Sequence, residues 1–190
     1  MVPLDRWVIK HVCRYIKSAR EYDARRIPPL LPDSYSVNLS GLSLTDEGML
    51  DHIITQFSEY NIDPHQVSFE ITETAIVANL PKAQDFIGQL RKLGCKFSLD
   101  DFGSGLSSFA YLQSLPVDYL KIDGAFIRGI ASNKINRALV RSINEVGHVM
   151  GMKTVAEYVE DGETLDIVRE LGIDYAQGFA VGPVRQLTST

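Results

Sequence analysis

Two adjacent aspartates, Asp100 and Asp101, follow an apolar run and offer the clearest chemistry in this sequence. Neighbouring carboxylates repel each other and resist burial unless a cation neutralises them. Each of them can reach a different ion, which is what two-metal hydrolysis of a phosphodiester requires. Taken alone, the pair is equally compatible with an exposed turn, so its chemistry depends on the residues that stand near it.

Other strand-like runs also end in side chains that can do chemistry, namely Asn38, Glu70, Lys121, Glu157 and Gln177. Carboxylate and amide oxygens suit Mg²⁺ or Mn²⁺ rather than zinc, which prefers nitrogen and sulfur. The acidic members and Asn38 therefore join the aspartate pair in a candidate site for two divalent ions. Lys121 is a candidate for orienting or deprotonating an attacking water. Gln177 either hydrogen-bonds a base edge or a water, or only caps a strand.

Two further features stand beside these residues. Gly103 and Gly105 belong to a loop that directly follows the aspartate pair and precedes a helix, a position where backbone amides can cradle a phosphate. No P-loop lysine follows them, so a plain strand-to-helix turn is the alternative. Asp123 stands two residues after Lys121 on the same face of a strand, where the alternative is a surface ion pair that contributes little.

The elements that must position these residues alternate between strand-like and helical patterns along the chain. The sequence predicts six strands, at about 35–40, 67–73, 95–101, 119–123, 153–157 and 175–179. A first helix is predicted from about Leu4 to Ala19, with an apolar face made of Trp7, Val8, Val12, Tyr15 and Ile16. Further helices are predicted after a cap at Thr45, before Gly94, along a stripe through Ile135, Leu139, Ile143 and Val146, and after a cap at Asp161. Such alternation predicts a parallel sheet with helical crossovers.

An open doubly wound sheet and a closed barrel compete for this pattern. Barrel enzymes draw catalytic groups from the ends of many strands, whereas open sheets concentrate them at one switch point. Since every predicted strand ends in a chemical side chain, the barrel is favoured. The prediction is a TIM-type (β/α) barrel with six of its eight strands, because a barrel typically needs about 250 residues and this chain has 190.

Composition narrows the function classes. The net charge is −5 and the basic residues are scattered, which argues against a general nucleic-acid-binding surface. The apolar runs are short and broken by charge, so no membrane segment is expected. Cys13 and Cys95 are expected to be buried free thiols, which fits a reducing cytoplasm. The four histidines lack metal-ligand spacing and are expected to be structural.

The chemical residues fall in runs that resemble the EAL family of bacterial cyclic-di-GMP phosphodiesterases. These runs occur in family order and cover essentially the whole chain. They are Ser36-Val-Asn-Leu-Ser, Phe69-Glu-Ile-Thr-Glu-Thr, Leu99-Asp-Asp-Phe-Gly-Ser-Gly-Leu-Ser-Ser, Tyr119-Leu-Lys-Ile-Asp, Val155-Ala-Glu-Tyr-Val-Glu and Ala176-Gln-Gly-Phe. The resemblance implies one EAL-type domain over residues 1–190 that hydrolyses cyclic di-GMP to linear pGpG with two Mg²⁺ or Mn²⁺ ions.

The resemblance also implies a role for each matching residue. Asn38, Glu70 and Asp100 would bind one metal, and Asp101 would join Asp100 at the second. Lys121 and Glu157 would hold the metal-bound water, and Gln177 with Gly178 would lie near the ligand. The remaining matches would support the loop or the surroundings of the site: Glu73, Gly103, Gly105, Asp123 and Glu160.

The chain departs from the family in three places. The Glu-Ala-Leu segment, with a metal-binding Glu and a phosphate-binding Arg, is not among these residues, and neither are the two strands that carry it. Tyr158 stands where the family has a glycine, and little chain remains for the last barrel helix. We therefore expect an N-terminally truncated domain that is weak or inactive alone and that forms a homodimer or strand-exchanged oligomer. The sequence leaves open which sensory or GGDEF domain, if any, precedes this one.

A non-catalytic module that binds cyclic di-GMP or a protein is the alternative function. Modules of that kind commonly lose metal ligands, whereas every motif inside the covered span keeps its ligands here. The enzyme is therefore favoured.

Overall fold

The computed structural model of this chain describes residues 1–23, 32, 34–103 and 110–184. Its helices are α1 (Val2–Asp23), α2 (Met49–Tyr60), α3 (Glu73–Ala78), α4 (Leu80–Leu93), α5 (Gly124–Ile127), α6 (Lys134–Val149) and α7 (Gly162–Glu170). Its strands are β1 (Tyr35–Asn38), β2 (Val67–Thr72), β3 (Lys96–Phe102), β4 (Tyr119–Ile122), β5 (Lys153–Ala156) and β6 (Tyr175–Ala176). Three short 3-10 turns connect some of them.

The six strands form one sheet in the order β1-β2-β3-β4-β5-β6, which is also their order along the chain. The pairings of β1 with β2, of β3 with β4, and of β5 with both β4 and β6 are parallel. Helical segments connect successive strands, as parallel pairing requires. The predicted six-stranded parallel sheet is confirmed.

The described residues divide into two compact units. The first contains those of 1–71 and 75–97, with β1, β2 and the start of β3. Its core is apolar and includes Phe69 and Phe97, whose ring centroids lie 5.5 Å apart. The second contains residues 72–74 and 98–184, with most of β3 and all of β4, β5 and β6. Its core includes Leu120, Ile122 and Ala156.

The predicted apolar face of α1 is partly confirmed. Val12 and Ile16 are buried as predicted, whereas Trp7 is 56% exposed and contacts the His11 ring at a centroid distance of 3.7 Å. Asp5 is buried on this helix as well, and its carboxylate accepts hydrogen bonds from Ser40 and Ser43. Hydrophobic periodicity does not detect a buried carboxylate that is hydrogen-bonded, so Asp5 was not predicted.

Two further helix predictions are corrected. The Thr45 cap is wrong, because the chain first makes a 3-10 turn over Ser43–Thr45 and α2 begins only at Met49. In α6, Ile135 and Leu139 of the predicted stripe are exposed. That helix instead turns a smaller face inward, which consists of Val140, Ile143, Asn144 and Gly147. An added Cβ at Gly147 would lie 2.9 Å from Thr154, so the glycine permits this close packing.

The other helix signals are confirmed. Gly94 ends α4 in a left-handed conformation with φ +112°, and the Asp161 side chain accepts a hydrogen bond from the Thr164 amide at the start of α7. Cys13 and Cys95 are buried free thiols, and burial raises the pKa of each to about 12. Within the described part of the chain, no helix is both long enough and apolar enough to cross a membrane.

Candidate metal centre

The aspartate pair lies in a bulge at the end of β3. The pairing of β3 with β4 shifts register between Leu99 and Phe102, and Asp101 has a left-handed φ of +54°. Successive side chains of a regular strand point to opposite faces, so neighbouring carboxylates would diverge. A bulge re-aims one of them. Here the bulge brings the carboxylates of Asp100 and Asp101 close to each other.

Glu157 completes an acidic cluster with the pair. One carboxylate oxygen from each of Asp100, Asp101 and Glu157 lies within 4.8 Å of the others. Lys121 projects from β4 into this cluster, with its Nζ atom 2.8 Å from Asp100 Oδ1 and 2.7 Å from Glu157 Oε1. The Lys121 side chain is only 4% exposed. The structure thus brings together four residues that the sequence singled out.

Repulsion and burial both act against the charge of this cluster. Burial raises the pKa of Asp101, and the nearby Asp100 and Asp123 raise it further against the opposing effect of Lys121. Burial also raises the pKa of Glu157, although Lys121 partly offsets it. Three carboxylates and one ammonium sum to −3 + 1 = −2 when all are ionised. A divalent cation would neutralise that excess.

The donor set fits Mg²⁺ or Mn²⁺, since both prefer carboxylate oxygens. Asp100 Oδ1 is paired with the Lys121 ammonium, and the same ammonium also pairs with Glu157, so one cation is shared between two carboxylates beside Asp101. Carboxylates that lie this close together repel each other unless a further cation neutralises them. The cluster is accordingly a candidate site for a divalent cation.

Asn38 and Glu70 are register partners on neighbouring strands in the first unit. Asn38 is the last residue of β1, Glu70 lies two residues before the end of β2, and the Leu39 amide donates to the Glu70 carbonyl at 2.9 Å. Parallel pairing places both residues at the same edge of the sheet. They therefore form an amide and carboxylate pair of the kind expected of metal ligands.

Glu73 fastens the chain that follows the aspartate pair. Its buried carboxylate accepts a hydrogen bond from the Gly103 amide at 3.1 Å and another from the Tyr111 hydroxyl at 2.7 Å. Gly103 has a φ of +98°, and an added Cβ would lie 2.7 Å from Phe126. Glycine is therefore required at 103 by both conformation and space. The predicted Gly105 lies outside the described residues.

A cleft of about 380 Å³ opens beside Glu157. Its lining includes Tyr158, Glu160 and Gln177, together with Gly178 and Phe179. Gln177 continues the strand pairing, because its amide donates to the Ala156 carbonyl at 2.8 Å. Gly178 has a structural reason to be glycine, since an added Cβ would lie 2.2 Å from the Val159 carbonyl oxygen. Both residues follow β6 directly and share this cleft with Glu157.

Asp123 takes a different position from the one that its spacing suggested. Its carboxylate caps α5 by accepting a hydrogen bond from the Ala125 amide at 2.7 Å. The residue still acts on the cluster at longer range, because its charge raises the pKa of Asp101.

Sequence reasoning missed two contributors to this region. Tyr111 was not singled out, and its bond to Glu73 spans 38 positions that no local pattern connects. Arg128 was missed as well, although its guanidinium carbon lies 4.0 Å from the centroid of the Tyr158 ring. Neither contact has a sequence signal in a single chain, because both depend on how distant segments pack.

A model of the EAL domain family matches residues 1–184 of this chain. The chain belongs to the EAL domain family. The resemblance carried by the sequence motifs is therefore confirmed.

Two curated relatives are cyclic di-GMP phosphodiesterases. This EAL domain is 49% identical over 154 residues to PdeB of Shewanella oneidensis, a match that covers 81% of the chain and 18% of PdeB. It is 36% identical over 188 residues to PdeF of Escherichia coli, which covers 98% of the chain and 24% of PdeF. The chain thus spans about a fifth of the length of these relatives.

A solved structure supports the same fold. The PaMucR phosphodiesterase in complex with c-di-GMP is 30% identical and superposes with a TM-score of 0.85. The match covers 96% of this EAL domain and 71% of that chain. The predicted EAL-type (β/α) fold is confirmed, and the open doubly wound sheet is excluded.

Proposed function

We propose that this EAL domain is the catalytic part of a metal-dependent phosphodiesterase that hydrolyses cyclic di-GMP to linear pGpG. The observation that carries the proposal is the cluster of Asp100, Asp101 and Glu157 around the buried Lys121. The names of the relatives and the ligand of the PaMucR structure support the same substrate.

In this proposal Asn38, Glu70 and Asp100 would hold one divalent ion, and Asp101 with Asp100 would hold a second. Mg²⁺ or Mn²⁺ would polarise the phosphodiester and favour deprotonation of the attacking water. The water attacks phosphorus in line and the bond to the ribose 3′ oxygen breaks. That oxygen takes up a proton from solvent and becomes a 3′ hydroxyl, and a 5′-phosphate remains on the other nucleotide.

The chain's own residues orient the water and accept its proton. Lys121, fixed between two carboxylates, directs the water through its remaining ammonium hydrogens. Glu157 is suited to accept the proton, because a carboxylate with a raised pKa is a stronger base. Gln177 and Gly178 border the ligand, with Glu160 on the rim of the same cleft.

Activity of the 190-residue polypeptide alone is proposed to be weak, because the Glu that the family supplies from its Glu-Ala-Leu segment is not among these residues. Loss of a residue that merely orients a metal ligand costs about 10–100-fold, and loss of a ligand should cost at least that.

Hydrolysis with a matched variant tests the proposal. Cyclic di-GMP is incubated with Mn²⁺ and either the wild-type chain or Lys121→Met, and the products are separated by chromatography. We expect slow, Mn²⁺-dependent formation of pGpG that Lys121→Met abolishes while the fold, checked by circular dichroism, persists. Binding of cyclic di-GMP without any hydrolysis would instead identify the non-catalytic module, and hydrolysis at equal rates in both proteins would reject the assigned site.

We also propose a setting for this domain. It works in the cytoplasm, where its two thiols stay reduced, and it follows a GGDEF or sensory domain in the longer protein. It forms a homodimer or strand-exchanged oligomer, since β1 and β6 each have a single neighbour among the described strands. Light scattering that gave only a monomer mass would reject the oligomer.

A further inference from the structure

Tyr158 has a backbone conformation that bulky residues rarely adopt. Its φ is +52°, in the left-handed region. The other described non-glycine residues with positive φ are Asn61 and Asp101, whose short polar side chains tolerate that region. An aromatic residue persists there only when the surrounding structure holds it. Tyr158 directly follows Glu157 of the acidic cluster, so the conformation of residue 158 bears on that carboxylate.

The Tyr158 ring has two specific supports at α5. It occupies the space above Gly124, where an added Cβ would lie 2.0 Å from the ring carbon Cδ2. The Arg128 guanidinium carbon lies 4.0 Å from the ring centroid, which is cation–π geometry. Arg128 is itself tied to Gly124, because its amide donates to the Gly124 carbonyl at 2.8 Å. Any side chain at residue 124 would clash with the ring, so the position of the Tyr158 ring requires glycine there.

The backbone on either side of Tyr158 pairs in opposite directions. The Glu157 amide points to the Ile122 carbonyl of β4, at 3.4 Å. The Val159 amide donates to the Gln177 carbonyl at 3.0 Å, and the Val159 carbonyl accepts from Ala180 at 3.0 Å. β5 pairs with β4 and with β6 up to Ala156, and beyond residue 158 the chain bonds to Gln177 and Ala180 on the β6 side. A right-handed residue at 158 would not preserve both the Glu157 bond to β4 and the Val159 bonds on the β6 side.

We propose that Tyr158 is a positioning residue: its ring, seated on Gly124 and against Arg128, holds residue 158 left-handed and thereby keeps the Glu157 carboxylate on Lys121. The expected effect of Tyr158 on hydrolysis rests on the proposed function. Its expected effect on the Lys121–Glu157 contact does not. The ring supports the backbone, and the phenol hydroxyl has no part in this.

Three substitutions at residue 158 distinguish the effect of the aromatic ring from the effect of the left-handed backbone conformation. Tyr158→Phe keeps the ring, Tyr158→Ala removes the ring but keeps the steric penalty, and Tyr158→Gly removes both. We expect Tyr158→Phe to match the wild type. Tyr158→Ala should lower Mn²⁺ affinity about tenfold, in the range found for residues that orient metal ligands, and lower kcat rather than KM. Tyr158→Gly should recover to within about threefold of the wild type, because glycine adopts positive φ freely.

Asn61→Ala is the matched control, because Asn61 has the same φ of +52° at the C-terminal end of α2. It should lower thermal stability as Tyr158→Ala does and leave Mn²⁺ affinity unchanged. Gly124→Ala is a second route to the same effect, because the added methyl group displaces the ring. That variant should reproduce the loss seen in Tyr158→Ala.

Crystal structures of the variants decide the positioning role independently of activity. The 2.7 Å contact between Lys121 Nζ and Glu157 Oε1 should persist in Tyr158→Phe and Tyr158→Gly and be lost in Tyr158→Ala. If Tyr158→Ala keeps both the contact and its Mn²⁺ affinity, or if Tyr158→Gly is as impaired as Tyr158→Ala, the inference is overturned. If the contact is lost as expected but the wild type never cleaves cyclic di-GMP, the proposed function fails and the positioning role stands.

Discussion

Individual residues in the acidic cluster are placed where their charge is unfavourable for the fold. Asp101 combines a left-handed backbone with a carboxylate whose pKa is raised by burial and by neighbouring aspartates. Sites that bind cations commonly retain such charges because function requires them. This placement leads to opposite expectations for stability and for metal binding.

Replacing Asp101 with Asn should stabilise the metal-free protein and weaken its response to metal. The amide removes one charge from the cluster, and asparagine tolerates positive φ. We expect a higher Tm than that of the wild type without metal, and a smaller Tm increase on addition of Mn²⁺. The control is Asp166→Asn, which removes one exposed charge on α7. A metal-free Tm below that of the wild type would contradict the expected relief of repulsion.

The hydroxyl group of Tyr111 should contribute to the stability of the folded protein. The hydroxyl donates to buried Glu73, and both burial and this bond raise the pKa of Tyr111 so that the group stays protonated. Tyr111→Phe leaves a buried carboxylate with one donor fewer and should cost about 1–3 kcal/mol in urea denaturation. Tyr175→Phe is the control, because Tyr175 is half-exposed and contacts Tyr119 through its ring. Equal stabilities of the two variants would show that the Glu73 bond is unimportant.

Residue types at strand ends were predictable from the sequence, because chemical groups there interrupt apolar runs. Asp100, Lys121 and Glu157 were found in that way. The bulge that lets Asp100 and Asp101 converge was not predictable, since a register shift depends on the partner strand. Tyr111 and Arg128 were missed because their contacts join segments far apart in sequence.

At the scale of elements, β5, β6 and α6 are joined on the side opposite the strand ends by one carboxylate. Asp174 Oδ1 accepts from Lys153 Nζ at 2.6 Å, and Oδ2 lies 2.7 Å from His148 Nε2 and 2.9 Å from the Thr154 amide. Burial would raise the pKa of Asp174, but these donors together hold it well below its ordinary value. The carboxylate therefore stabilises the start of β5 and the turn before β6.

Asp174→Asn should lower stability at neutral pH and reduce acid sensitivity. Hydrogen bonds to a charged group contribute about 1.5–3 kcal/mol each, so we expect a loss of at least that size at pH 7. Because the folded-state pKa lies below the unfolded-state value, this stabilisation is present above about pH 4 and is lost as pH falls further. Urea denaturation at several pH values should show a shallower acid decline in the variant. A variant with the same slope as the wild type would contradict this account.

The hydrophobic periodicity of the sequence predicted the types of the elements more reliably than it predicted which face of each helix is buried. All six strands were foreseen, because β-branched runs alternate with helical stripes. The faces of α1 and α6 were predicted only in part. Trp7, Ile135 and Leu139 are exposed, whereas Val12, Ile16 and Ile143 are buried as predicted. Asp5 and Asn144 are buried through hydrogen bonds and Gly147 through close packing. Polar and small residues of this kind do not contribute to a hydrophobic stripe.

At the scale of the whole molecule, the family match over residues 1–184 and the acidic cluster point to the same chemistry. Within the second unit, β3, β4 and β5 bring Asp100, Lys121 and Glu157 together from distant segments. The central claim is therefore that this cluster binds a divalent cation through Asp100 and its neighbours.

Calorimetric titration of Mn²⁺ into the wild-type chain and into Asp100→Asn tests that claim most directly. Asp100 is the carboxylate assigned to both ions, and the amide keeps its volume while removing its charge. We predict saturable binding to the wild type and at least about tenfold weaker binding to the variant, with both proteins equally folded by circular dichroism. Equal affinities, or no binding to the wild type, would contradict it.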